Sequence, residues 1–149
     1  MPTVVRVKNA EGLTMPDLRA LVSRALKASL FRVGDTDAVL PEIAAMVNDP
    51  AFGVFIAVEG GKFKGIMVIA LPRDALLTLP QITIFYSEGT KAVSSALIDA
   101  GLEWVVGSGF SRFWAINVTK RSDAVWARAF RKAGAPHRIG SIMEFGIGE

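Results

Sequence analysis

The sequence predicts a single α/β (α+β) domain spanning residues 1–149. Its central sheet is mixed and mostly antiparallel, with helices on both faces, in the order β-α-α-β-β-β-α-β-α-β. Three observations carry this. Two β-rich runs meet at Gly60-Gly61, which suits an antiparallel hairpin. A third run, Gln81–Tyr86, passes through a short polar turn into a helical pattern and on to another strand, a crossover that sets those two strands parallel. Finally, 149 residues, 51% hydrophobic and 21% charged, are enough for one buried core and too few for two.

The elements follow in order. Thr3–Lys8 alternates and reads as a first strand. Thr14, Pro16 and Asp17 mark a helix start, and Leu18, Leu21, Val22, Ala25 and Leu26 recur at helical spacing until Gly34-Asp35 breaks the pattern. Thr36 or Asp37 caps a second helix with Leu40, Ile43, Ala44 and Val47 inward, ended by Asn48-Asp49-Pro50. Gly53–Glu59 and Lys62–Leu71 form the hairpin. Pro72–Pro80 is a connector, Gln81–Tyr86 a strand, and about Ala92 to Gly107 a helix stopped by Gly107-Ser108-Gly109. Arg112–Val118 is the next strand. Ser122 or Asp123 caps a last helix with Trp126, Ala129, Phe130 and Ala133 inward, and His137–Ile147 closes as a strand.

Composition removes several chemistries. There are no cysteines, hence no disulfide scaffold, thiolate metal site or cysteine nucleophile. The single histidine, His137, excludes a cluster of histidine ligands, and no metal is expected. The first thirty residues show no signal-peptide core, and the longest apolar run, near Ile66–Leu71, is far short of a membrane span. The expectation is a cytoplasmic protein without membrane contact. A net charge of +3 permits an anionic ligand without demanding nucleic acid.

The most informative stretch is Ile82–Val106. Its strand feeds a helix through Ser87-Glu88-Gly89-Thr90-Lys91, which aims backbone N–H groups and a helix dipole at one spot, a setting that suits a phosphate. The turn is neither a Walker loop nor a dinucleotide fingerprint, since the required glycines are missing.

The element order, together with this strand–turn–helix, resembles the GNAT superfamily of acyl-CoA-dependent N-acetyltransferases from Thr3 to Ile147. The resemblance implies acetyl-CoA as co-substrate, lying between the strands Gln81–Tyr86 and Arg112–Val118, with an amine as acceptor. It implies that backbone groups of Ile84, Phe85 and Tyr86 bond the pantetheine arm, and that Gly89, Thr90, Lys91, Ala92, Val93 and Ser94 surround the pyrophosphate. In one register the family's loop pattern falls on Glu88–Val93, where only Gly89 is kept, Glu88 replaces a basic or amide residue and Lys91 an inner glycine. In a register shifted by one, Ala92 takes the final small position and Thr90 replaces the glycine. In the last helix, Lys132 and Gly134 fit the family pattern, whereas Phe130 replaces a tyrosine that serves many members as general acid. The tail after Pro136 is shorter than the family's closing hairpin, which leaves an edge for a second copy or a partner chain.

Under the resemblance, the catalytic candidates are Tyr86, as proton donor or pocket wall, and Glu88, as general base. Each also has a plainer reading. Tyr86 is a half-buried aromatic, and Glu88 caps the following helix. Lys91, Thr90, Ser94 and Ser95 are phosphate donors or a solvated helix start. Glu59 is a turn residue, and Glu144 lies on the closing strand. Lys120, Arg121, Arg128, Arg131, Lys132, His137 and Arg138 form a basic cluster that reads as a solvated helix face or a grip for phosphate or nucleic acid. Trp104, Trp114 and Trp126 read as core. Two functions follow: N-acetyltransfer to an unidentified amine, or a catalytically inactive domain of the same fold serving in binding or assembly, for example in a viral particle. The mean hydropathy of +0.39 favours a buried interface and a homo-oligomer.

Overall fold

The computed structural model describes residues 1–9, 15–28, 35–73 and 79–115. The last helix, the closing strand, Glu144 and the basic cluster from Lys120 to Arg138 lie outside the described residues, as do Trp126, Phe130 and Thr14.

Among the described residues, five strands form one sheet in the order β1-β2-β3-β4-β5. They are β1 (Thr3–Val7), β2 (Phe52–Glu59), β3 (Lys62–Ala70), β4 (Gln81–Ser87) and β5 (Trp114–Ala115). The first four pair antiparallel, and β5 runs parallel to β4. The parallel step is made by α3 (Lys91–Gly107), while α1 (Met15–Ala28) and α2 (Thr36–Val47) join β1 to β2. The expected mixed sheet with helices on both faces is therefore present.

The β2–β3 hairpin turns on Gly60 and Gly61, whose φ angles of 60° and 73° belong to a type I′ turn that matches the twist of its strands. Glu59 pairs with Lys62 to close it, so Glu59 is the turn-flanking residue the sequence suggests. Alternation then sorts the strand side chains. Val54, Ile56, Ile66 and Val68 meet Leu18, Leu21 and Val22 of α1 and Leu40, Ile43 and Val47 of α2. On the opposite face Phe55, Ala57, Met67, Ile69 and Ile82 meet Val93, Leu97, Ile98 and Val105 of α3. The strands β2 and β3 are apolar on both faces because both are covered.

The helix starts differ in detail from expectation. The N-cap of α2 is Asp35, one residue before the two candidates, and its carboxylate accepts from Ala38 N at 2.9 Å. Asp35, Thr36 and Asp37 are all good caps by residue type, and only the β-region backbone of Asp35 (φ −73°, ψ 168°) decides among them. Pro41 lies inside α2, so the helix forgoes one intrahelical bond. The carboxylate of Asp37 instead pairs with Arg19 of α1 at 2.5 Å. That pair tethers the two helices at an exposed edge.

Glycine sets how closely α3 lies on the sheet. A Cβ on Gly101 would stand 2.8 Å from Met67 Sδ, and one on Gly65 would stand 2.6 Å from Leu97 Cδ1. Both contacts lie between α3 and β3, the strand beside β4. Close seating of α3 fixes where its N-terminus meets the end of β4. No helix among the described residues is long and apolar enough to cross a membrane.

Candidate functional site

The site is built on β4, which pairs antiparallel with β3 and parallel with β5. Its register against β3 shifts between Val68, opposite Ile84, and Ile69, opposite Ile82, so Thr83 is the additional residue of a β-bulge. The Thr83 hydroxyl donates to Val68 O at 3.3 Å across this irregularity. Bulges re-aim the strand that carries them and recur beside functional sites. Beyond the bulge, Ile84 and Tyr86 pack on the α1/α2 face and Phe85 on the α3 face. Among the described residues β5 pairs with β4 only at Gln81 and Ile82.

The turn begins as Glu88 N donates to Lys64 O at 2.8 Å, extending the β3–β4 ladder by one bond. Gly89 follows with φ +84°, a left-handed conformation that side chains resist, and a Cβ there would meet only open space. Thr90 is the N-cap of α3 and makes no side-chain cap bond. Helix geometry leaves the first N–H groups, those of Lys91 and Ala92, without intrahelical acceptors. Gly89, Thr90, Lys91 and Ala92 are all exposed. Backbone donors, the positive end of a 17-residue helix and one lysine thus face solvent together.

Side chains around the turn are tied down. Arg24 of α1 donates from Nε to both carboxylate oxygens of Glu88, at 3.0 and 2.9 Å, and its Nη2 lies 2.7 Å from Oε1. The same Nη2 donates to Phe63 O at 3.3 Å. The Tyr86 hydroxyl donates to Glu88 Oε2 at 2.8 Å. Ser87 and Ser94 join through their hydroxyls at 2.5 Å, linking the end of β4 to the first turn of α3.

These bonds set the protonation states. Partial burial raises the Glu88 pKa, but the bonds from Arg24 and Tyr86 and the charges of Arg24 and Lys64 outweigh it, so the carboxyl sits below its ordinary range. Partial burial is also the largest influence on Tyr86, and with the bond to anionic Glu88 it raises the phenol above its ordinary value. The guanidinium of Arg24 is raised by its bond to Glu88. The result is an ionised carboxylate and a phenol that keeps its proton, with that proton directed at Glu88.

The structure brings most of the predicted site residues together. Ile84, Phe85 and Tyr86 form the end of β4, and Gly89, Thr90, Lys91 and Ala92 the exposed turn. One expectation changes, and the surroundings of two further residues are fixed. Glu88 does not cap α3: Thr90 is the N-cap, and the Glu88 side chain turns toward α1 because Arg24 offers a two-oxygen partner there. The Val93 side chain is fully buried in the core, and its N–H donates to Thr90 O at 3.2 Å. The hydroxyl of Ser94 is committed to Ser87.

Of the described tryptophans, Trp104 packs partly buried against the α3-face core as expected, and Trp114 departs from expectation. Trp114 is 48% exposed and Ala115 is half-buried, as strand alternation would place them. Trp104 borders an open cleft of about 590 Å³ with Arg6, Phe55 and Glu103. Its ring meets Phe55 edge-on at 6.0 Å and lies under the Arg6 guanidinium at 5.2 Å. Thirteen residues of α3 separate it from Lys91, about 20 Å along the axis, so this cleft is distinct from the turn.

Arg24 is the residue that the sequence reading missed. It lies 64 positions from its partner, and no local periodicity links the two. Its one sequence signal is a basic residue on α1 beside the apolar stripe of Leu18, Leu21 and Val22. No group of three or more histidine, cysteine, aspartate or glutamate side chains able to hold a metal ion occurs among the described residues.

Comparison with known proteins matches no family model and no curated protein. Solved structures do match. The chain is similar to AAC(6')-Iy in complex with the bisubstrate analogue CoA-S-monomethyl-acetylneamine, with a TM-score of 0.73 and 14% identity over 99% of each chain. It is similar to a protein from Clostridium acetobutylicum described as a predicted acetyltransferase and solved with acetyl-CoA, with a TM-score of 0.67 and 13% identity over 98% of this chain and 96% of the other. It is equally similar in shape to a transcriptional regulator from Bacillus halodurans, with a TM-score of 0.72 and 14% identity over 97% of this chain and 100% of the other. At such identities the likeness concerns architecture and leaves activity to be argued from the site. With its mixed sheet, bulged β4 and β4–α3 crossover, the chain has the fold of the GNAT acetyltransferases.

Proposed function

We propose that this protein is an N-acetyltransferase that takes acetyl-CoA as co-substrate and an amine as acceptor. The observation that carries the reading is the exposed turn Gly89–Ala92, where a positive-φ glycine with open space above it precedes an α3 N-terminus that no side chain caps. In this fold two similar proteins were solved with a CoA species, one with acetyl-CoA and one with a CoA-based bisubstrate analogue.

The residues present suit such a ligand. The N–H groups of Lys91 and Ala92 and the Lys91 ammonium would hold phosphate oxygens, and Gly89 lets the backbone approach them. Glu88, the one carboxylate in the turn, has its charge offset by Arg24. The backbone of Ile84–Tyr86 would align the pantetheine arm along β4. Acetyl-CoA supplies an acyl thioester, which an amine converts to an amide with release of the thiol.

The chain's own contribution is mainly orientation, with backbone N–H groups at the bulged strand polarising the reacting carbonyl. Glu88 accepts from two partners and is held ionised at low basicity, so the acceptor amine gives its proton to water rather than to Glu88. The Tyr86 phenol proton is engaged by Glu88 and reaches a leaving thiolate only when that bond opens. The test is calorimetric titration with acetyl-CoA and CoA, followed by an amine screen that reads thiol release. Micromolar binding and amine-dependent thiol release are expected. A folded sample that binds neither species at millimolar concentration overturns the reading.

A further inference from the structure

We propose that Arg24 is a positioning residue for the phosphate-binding turn. It clasps the Glu88 carboxylate onto α1, cancels its charge and thereby makes an acidic turn able to accept a diphosphate. This inference rests on the CoA reading above and names the device that lets the turn work.

The charge within the turn conflicts with an anionic ligand. Glu88 directly precedes Gly89, Thr90 and Lys91, so a free carboxylate there would repel any polyanion at the start of α3. Burial does not neutralise it, since its carboxyl is held below its ordinary pKa. Arg24 resolves the conflict geometrically. Its Nε bonds both carboxylate oxygens at 3.0 and 2.9 Å, and its Nη2 reaches Oε1 at 2.7 Å. The same Nη2 donates to Phe63 O at 3.3 Å, which anchors the guanidinium to β3. Tyr86 closes the opposite side of the carboxylate at 2.8 Å. A planar guanidinium offers parallel donors that a lysine ammonium does not, so the contact is specific to arginine.

Exposure matters to the size of the effect. The Arg24 side chain is 42% accessible and that of Glu88 23%, so the pair is partly screened and adds little to folding stability. Its value lies in where it keeps the carboxylate. The clasp also joins α1, β3, β4 and the turn through one charge pair. The phosphate end of the cleft is thereby coupled to the helix that covers the other face of the sheet.

The experiment compares wild type, R24Q, E88Q and R24Q/E88Q by calorimetric titration with CoA and with pantetheine, which lacks phosphate. R24Q should weaken CoA binding about tenfold, corresponding to about 1.4 kcal/mol, and leave pantetheine unchanged. E88Q should bind CoA at least as tightly as wild type. The double variant should recover to within about threefold of E88Q, because the offending charge has gone. Circular dichroism confirms that each variant is folded, and R24K, which keeps charge without the fork, should recover only part of the loss.

Equal losses in R24Q, E88Q and the double variant would mean that the clasp merely braces the turn, and would overturn the proposal. An R24Q variant with unchanged CoA affinity overturns it as well. Wild type that binds no CoA refutes the proposed function and this inference with it, whereas wild-type binding without rescue refutes the inference alone.

Discussion

Replacing Gly65 by alanine tests whether the close seating of α3 on β3 is what positions the turn. A Cβ at this residue would lie 2.6 Å from Leu97 Cδ1 and 3.0 Å from Tyr86 O, with Val93 Cγ1 at 3.4 Å. To regain ordinary contact, the Leu97 methyl must retreat by about 0.8 Å into a core where Leu97, Ile98 and Val93 are essentially inaccessible. Overpacking of this kind costs about 1–3 kcal/mol, and relief of glycine's entropy in a strand returns about 0.5–1 kcal/mol. The difference spans about 0–2.5 kcal/mol, so a net destabilisation of about 1 kcal/mol is expected. Leu97→Ala alone should cost about 2–5 kcal/mol by leaving a cavity. In the double variant the new methyl enters the vacated space, so the two effects should fall short of their sum by about 1 kcal/mol or more. Urea unfolding followed by tryptophan fluorescence measures all three, with an unchanged m-value as the check that midpoints report stability. If Gly65→Ala is as stable as wild type, or the double variant is strictly additive, the close contact is not what fixes α3.

Two further outcomes follow from local geometry. Asp35→Ala removes the bond to Ala38 N and should lower stability by about 1 kcal/mol, read as a fall in melting temperature, whereas Thr36→Ala should change little. Glu88 has a folded pKa below its unfolded value, so its stabilisation is present above about pH 4.5 and is lost as pH falls through the folded value. Acidification from about pH 6 to about pH 3 should therefore cost wild type more stability than E88Q, and equal losses would show that the carboxylate is not selectively held. Asp37 and Asp49 are shifted the same way by their own bonds and contribute equally to both proteins, so the difference isolates Glu88.

Much of this architecture is legible in the chain because its elements carry local signals. The hairpin is announced by Gly60-Gly61, and the apolar stripe of α1 recurs at helical spacing. The strands β2 and β3 read as continuous apolar runs because both faces are covered. What escapes local reading depends on geometry set by distant partners. Asp35, Thr36 and Asp37 are equally capable caps, and only the backbone angles separate them. Trp114 reads as core from its pattern, but it lies on the exposed side of the β5 alternation. Glu88 reads as a helix cap because it precedes a helix, and it turns away because an arginine 64 residues earlier competes for it. Charge pairing across that separation has no periodicity, so the site's backbone was readable and its electrostatics were not.

The proposed function requires that the turn between β4 and α3 receive the phosphates of acetyl-CoA. Two-dimensional amide NMR of isotopically labelled protein titrated with acetyl-CoA tests it most directly. The largest shifts should fall on the amides of Gly89, Thr90, Lys91 and Ala92 and continue into Ile84–Tyr86, leaving Arg6 and Trp104 unmoved. Shifts centred on the Arg6–Trp104 cleft, or no shifts at saturating ligand, would contradict it.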